Sequence, residues 1–221
     1  MKLFLNALTK FTAGLLLVAL LLFLPAGTLA YPGGLLFLCL LFVPMLVMGV
    51  VMMICARDLL RKRLDVKEKQ GTQKGVVAVM GLIFLSGFIL AGLDFRFGWS
   101  KVPLPVVIVA SVLFLVGYAL YAEVMRENAY LSRTIKVEEG QTVVSTGLYA
   151  VVRHPMYTAS TVMFLALPLV LGSWYALIPF ALYPVIMVVR IRGEEKLLTA
   201  ELSGYEEYTR KVKYRMIPFI W

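Results

Sequence analysis

His154 is the single histidine of this chain, and it lies in Gly147-Leu148-Tyr149-Ala150-Val151-Val152-Arg153-His154-Pro155-Met156-Tyr157, where a polar loop runs into an apolar stretch. Proline suits the first position of a helix, because the N–H it lacks has no partner there in any case. Pro155 therefore predicts a helix start with His154 at or near the N-cap. A helix N-terminus offers unpaired N–H groups and partial positive charge, which suit a carboxylate. Arg153-His154 at a membrane boundary is also what a simple basic anchor looks like.

A second cluster, Arg190-Ile191-Arg192-Gly193-Glu194-Glu195, closes the apolar run that begins after Tyr157. Arg190 and Glu194 stand i, i+4 and share one helix face. If exposed, such a pair is worth only ~0.3–0.5 kcal/mol. Arg190, however, follows directly on apolar sequence. An ionisable group at that depth normally faces the protein interior or a watery cavity. The two clusters would then offer a cation to a substrate anion and an anion to a ligand ammonium. Serine–histidine–acid spacing, a glycine-rich phosphate loop and a zinc set do not fit, since zinc usually takes four ligands and the chain has one histidine and two cysteines. No metal is expected. Cys39 and Cys55 fall in one apolar segment and read as small core residues.

The elements that must position these groups are membrane helices. The chain is 61% hydrophobic, with mean hydropathy +0.85. Apolar runs at 11–30, 35–56, 76–93 and 102–122 reach about the 18 residues of a membrane span. The run 158–189 is longer and is interrupted by Gly172-Ser173, which predicts a tight hairpin of two helices, each roughly 15 residues and ~22 Å long. The expected fold is all-α: a polytopic membrane protein of about six transmembrane helices, with a C-terminal helical hairpin and a cytoplasmic catalytic tail. Helices 1 to 4 would occupy 1–125, and the hairpin, the polar loop before it and the tail would make a second unit at 126–221.

The net charge of +9 first suggests nucleic acid, but its distribution does not. With six spans, only Arg96 and Lys101 of the 22 basic residues fall on one side. That is the positive-inside pattern, and it places both termini and the two clusters in the cytoplasm. The lipid bilayer is the expected partner, and nucleic acid is not. The basic stretch 57–74 reads as an interfacial connector touching anionic lipid. Lys2 and Lys10 before an apolar run could mimic a signal peptide. The run is long for that role, so a retained first helix is expected. The tail reads as helix through Leu202, a turn at Ser203-Gly204, then a second helix from Tyr205 ended by Ile217-Pro218-Phe219.

Gly147-x-Tyr149-x3-Arg153-His154-Pro155-x-Tyr157, the hairpin, and Arg190-x3-Glu194-Glu195 followed by Tyr205, Tyr208 and Pro218 resemble the isoprenylcysteine carboxyl methyltransferase family. These are integral-membrane enzymes that use S-adenosylmethionine and are related to the phospholipid methyltransferases. The resemblance covers roughly 141–221. It implies that Gln141, Thr142, Val143, Val144, Tyr149, His154, Pro155, Met156, Tyr157 and Glu194 line the S-adenosylmethionine pocket. It also implies that Arg190 faces the methyl acceptor, with Arg153 and Tyr157 beside it in the catalytic set. The acceptor implied is a lipophilic carboxylate such as a prenylated cysteine C-terminus. A carboxylate is already ionised at neutral pH and needs no general base. Three alternatives stay open: a phospholipid N-methyltransferase, an NADPH-dependent sterol-type reductase (whose tails resemble 211–218), and a membrane binding protein without turnover.

Overall fold

A computed structural model of the chain describes residues 2–65, 71–132 and 137–221. Parts of the basic connector (66–70) and of the polar loop (133–136) lie outside the described residues. Among those described, every regular element is helical: α1 (Lys2–Ala26), α2 (Pro32–Cys55), α3 (Arg57–Leu64), α4 (Gly71–Phe97), α5 (Leu104–Glu127), a 3-10 turn (Gly147–Ala150), α6 (Pro155–Val170), α7 (Leu177–Phe180), α8 (Tyr183–Glu201) and α9 (Tyr205–Lys211). The expected all-helical, polytopic architecture is the one found. The helices α1, α2, α4 and α5 are long and apolar enough to cross a bilayer, and α6 is a shorter apolar helix. Large apolar side chains such as Leu24, Ile54 and Leu104 remain exposed at 71%, 72% and 69%. Lipid solvates such a surface, whereas water would not.

A core runs through the bundle from Leu22 of α1 through Phe37, Phe88 and Phe114 to Leu167 and Phe180. The rings interlock: Phe37 meets Phe114 edge-on at 5.8 Å, and Phe84 meets Phe180 at 5.3 Å. Lipid tails are as apolar as this core, so close packing rather than escape from water must hold the helices together. The same reasoning corrects the reading of the cysteines. Cys39 and Cys55 do lie on one helix, α2, but both are exposed on its outer face. In a membrane an apolar sequence position does not distinguish protein contact from lipid contact.

The polar groups gather at two ends. At one end, Asp94 closes α4 by accepting from the Ser100 N–H (2.7 Å), the Ser100 hydroxyl (2.6 Å) and the Ser173 hydroxyl. Tyr31 donates to the Leu171 carbonyl there at 2.6 Å. At the other end, the connector is more than a loop, because its first half forms α3. Leu59 and Leu60 bury one side of that helix. Lys62 donates to the Ala129 carbonyl (3.1 Å) and pairs with Glu138, and Lys10 of α1 donates to Leu64. Burial of two leucines makes the helix worth forming where a polar pattern alone predicted a surface loop.

The hairpin turns near Gly172-Ser173 as expected, but its second arm is broken. Helix α7 ends at Phe180, and α8 starts afresh with Pro184 in its first turn. Proline cannot donate to the carbonyl four residues back, and the first turn of α8 is where that missing donor costs least. Beyond α8 the chain turns through Gly204, whose φ of +81° suits a residue without Cβ. Helix α9 then stops at Lys211, short of the expected 217, and a strap without regular structure follows, closing in a turn where Trp221 N–H donates to the Ile217 carbonyl at 3.0 Å.

Candidate functional site

Helix α6 begins at Pro155 with His154 as its N-cap, as the sequence predicts, although the imidazole makes no capping bond. The strap fixes this helix start. Arg153 N–H donates to the Tyr214 carbonyl (2.9 Å), His154 N–H to the Arg215 carbonyl (2.8 Å), and the Thr158 hydroxyl to the Met216 carbonyl (2.6 Å). Side chains repeat the tie. Arg153 donates through Nη1 to the carbonyls of Val212 (2.7 Å) and Lys213 (3.1 Å). Its Nε reaches Glu195 Oε1 at 2.7 Å, while Arg215 Nε meets Glu195 Oε2 at 2.6 Å. His154 Nε2 lies 3.4 Å from the same carboxylate. Burial pushes the Glu195 carboxyl up, but hydrogen bonds from His154, Arg153 and Arg215 outweigh it and hold the group at about 2. Glu195 is thus an ionised hub that joins α8, the start of α6 and the strap.

The neighbouring carboxylate is used differently. Arg190 Nε donates to the Tyr157 hydroxyl at 3.0 Å, and that hydroxyl donates to Glu194 Oε2 at 2.6 Å. Behind them, Arg190 Nη1 reaches Gln73 Oε1 of α4 at 3.4 Å. Gly193 permits this. A side chain at that position would overlap the Gln73 amide, so α4 and α8 approach closely only because glycine has none. Gln73 and Arg190 are buried, while Glu194 is half-buried at the cavity.

The third wall comes from the polar loop. Glu127, ending α5, accepts from the Thr146 hydroxyl (2.7 Å) and the Leu148 N–H (3.2 Å). Asn128 donates to the Tyr149 hydroxyl at 2.8 Å, and Tyr208 donates to the Tyr149 carbonyl at 2.6 Å. Burial raises the Tyr149 phenol to about 12, against the opposing hydrogen bond from Asn128. It therefore stays protonated.

Together these elements line an open, half-enclosed cavity. Its walls carry Gln141, Thr142, Val143, Val144, Tyr149, Arg153, His154, Met156, Tyr157, Arg190 and Glu194. Pro155 is buried at the helix start and is not on the wall. Sequence reasoning missed Asn128, Tyr130, Leu131, Ser132, Leu198 and Leu202, which also line the cavity. Leu198 and Leu202 stand four and eight residues after Glu194, so helical spacing alone could have found them. Tyr205 and Tyr208, part of the motif but given no role by it, are on the wall as well. Gln73 carries no sequence signal. Among the described residues, no group of three or more His, Cys, Asp or Glu could hold a metal ion.

Residues 105–204 match the family model described as phospholipid methyltransferase. That range takes in α5, the polar loop, the hairpin and α8. The chain is also similar to the Delta(14)-sterol reductase TM7SF2 of Mus musculus, at 26% identity over 132 residues. The alignment covers 53% of this chain and 32% of the reductase, so the chain spans about a third of that relative's length.

Proposed function

We propose that this chain is an integral-membrane methyltransferase that moves a methyl group from S-adenosylmethionine to a lipophilic acceptor, with residues 126–221 as the catalytic unit resting on the helices of 1–125. The match to the phospholipid methyltransferase model supports the reaction class. The observation that carries the reading is the hydrogen-bonded row Arg190–Tyr157–Glu194, with an arginine at one end and a half-buried carboxylate at the other. When bound, the donor supplies a methyl group made electrophilic by its sulfonium. The protein must hold the two partners in line and exclude water.

The residues fit that task. Glu194 suits the donor's ammonium, and the start of α6 at His154–Pro155 suits its carboxylate. Tyr149 and Tyr157 offer ring faces to a sulfonium. Arg153 acts through Glu195, fixing the strap against the helix that presents these groups. Tyr157 has a double membership. Its hydroxyl is in the row, and its ring packs in a cluster with Met187 and Met216, against which Met80 and Met156 lie. Methionine adapts to irregular apolar shapes, which suits a lipid-like acceptor chain.

Arg190 favours a carboxylate acceptor, such as a prenylated cysteine C-terminus. Its guanidinium can orient a carboxylate by paired hydrogen bonds, and it would repel a protonated amine. The phospholipid amine reading is the second one, favoured by the family match itself. The reductase likeness suggests NADPH, but the cavity argues for a zwitterionic ligand. The Arg153 cation is neutralised by Glu195, and Glu194 adds negative charge where a phosphorylated cofactor would need positive.

S-adenosylmethionine or its demethylated product should raise the melting temperature of the purified protein, and NADPH should not. Protection by NADPH alone would replace this reading with the reductase one. Incubation with labelled donor and membrane extract, followed by mass identification of the labelled product, separates carboxylate from amine acceptors. The basic asymmetry supports a cytoplasmic side for the site and both termini. A tag in the Gly172-Ser173 turn should report the opposite side, and a cytoplasmic signal there would reverse the assignment.

A further inference from the structure

Buried polar groups in folded proteins are almost always hydrogen-bonded, so each exception asks for an explanation. Among the described residues, one buried side-chain polar atom has no hydrogen-bond partner, the Tyr205 hydroxyl. Tyr205 is 4% exposed and stands on the cavity wall. Its neighbour Tyr208 is of the same type and nearly as buried, yet its hydroxyl is satisfied by the Tyr149 carbonyl. The difference is that the Tyr205 hydroxyl, at the cavity wall, meets no acceptor among the described residues. We propose that the Tyr205 hydroxyl is a binding group for the nucleoside half of the methyl donor, an inference that rests on the donor reading given above.

Two features select the nucleoside over the amino-acid half. The carboxylates of Glu195 and Glu194 act on Tyr205 and oppose placing a third carboxylate against it. Tyr205 also belongs to an apolar cluster with Leu202, Tyr208 and Val143, and an apolar wall suits the flat face of a nucleobase. A neutral acceptor, either a ribose oxygen or a ring nitrogen, satisfies the phenol without adding charge. Burial, helped by the two carboxylates, raises the Tyr205 phenol well above the usual tyrosine range. It stays protonated and acts as a donor. The amino-acid half then falls to Glu194 and the start of α6.

The test compares S-adenosylhomocysteine with 5′-methylthioadenosine, which keeps the nucleoside and lacks the amino-acid group. Tyr205→Phe should weaken both by the same factor, roughly 2- to 13-fold, the range of one neutral hydrogen bond. Glu194→Gln should weaken S-adenosylhomocysteine and leave methylthioadenosine unchanged. The ligand-free melting temperature of Tyr205→Phe should hold or rise, because the substitution removes a buried polar atom that has no partner among the described residues. A fall in that melting temperature with unchanged affinities would make Tyr205 structural and overturn the proposal. Weakening of S-adenosylhomocysteine alone would assign the hydroxyl to the amino-acid half. An effect confined to the acceptor's KM would move it to the acceptor's wall. If the unaltered protein binds neither compound, the donor reading itself fails, a result distinct from failure at Tyr205.

Discussion

The molecule has a polar knot at each end, and they are built to different standards. Around Asp94 both carboxylate oxygens are taken, by two serine hydroxyls and one backbone N–H. The Ser173 hydroxyl that donates to Asp94 also accepts from the Ala176 N–H. At the other end, Glu195 is equally saturated, with two arginines and a histidine. One residue away, among the described residues, Glu194 has a single tyrosine at 2.6 Å and half-faces a cavity, and the Tyr205 hydroxyl nearby has no partner. A group whose bonding is complete holds the fold together. A group left partly unbonded beside a cavity has capacity for a ligand. On that criterion Asp94 and Glu195 are structural, while Glu194 and Tyr205 serve binding.

The largest effect should come from Glu195. Glu195→Gln would leave Arg153, only 5% exposed in its side chain, without its anion. Loss of one partner from a buried pair costs about 3–5 kcal/mol, measurable by denaturant unfolding in detergent. The same carboxylate sets a pH dependence. Its folded pKa, about 2, lies below the usual 4.5. Its stabilisation is therefore complete above about pH 4.5 and is lost as pH falls toward 2. Glu195→Gln should flatten the unfolding profile across that window. An unchanged profile would remove Glu195 from the structural side of the comparison.

Glu194→Gln should do the reverse. Donor affinity should fall by roughly 1.5–3 kcal/mol, the range for a hydrogen bond to a charged group, with little loss of stability. Calorimetry and unfolding on one preparation check both. Similar effects from the two glutamate variants would erase the distinction drawn between adjacent residues.

Arg190→Lys keeps the charge and loses the fork. Turnover should drop by about 10–100-fold, on the order of 1.4–2.7 kcal/mol of transition-state stabilisation, with donor affinity nearly unchanged. Single-turnover rates at the parent level would make an amine or thiol acceptor the better reading.

Much of this was legible beforehand. Four long apolar runs, the Pro155 helix start and the Gly172-Ser173 turn each depend on local chemistry, and each appears where sequence places it. The Arg190–Glu194 face follows from helical spacing. What sequence did not show depends on contacts between distant segments. Glu194 and Glu195 are the same residue type in adjacent positions, and the contacts of Arg153, His154 and the strap's Arg215 with one of them separate a hub from a binding group. Gln73 reaches Arg190 across 117 positions, through a gap that Gly193 leaves open. The sidedness of the cysteines was illegible because lipid and protein interior present the same polarity.

The smallest effect tests the far end. Asp94→Asn keeps one accepting oxygen and places an amide, a donor, where serine hydroxyls and a backbone N–H already donate. The hydroxyls can rotate to accept, which limits the cost to about 1–2 kcal/mol of stability, near that of one or two net hydrogen bonds. Helix α6 links the two ends, running from Pro155 at the site to within a few residues of Ser173, about 24 Å over 16 residues. If that rod is rigid and the ends are independent, Asp94→Asn should lower the unfolding midpoint and leave donor affinity unchanged. The double variant with Glu194→Gln should then show additive losses. A drop in donor affinity in the single variant would mean that the knot sets the position of His154 and Tyr157 through α6. The two ends would then be one device, and the distinction between holding and binding would apply only within the site.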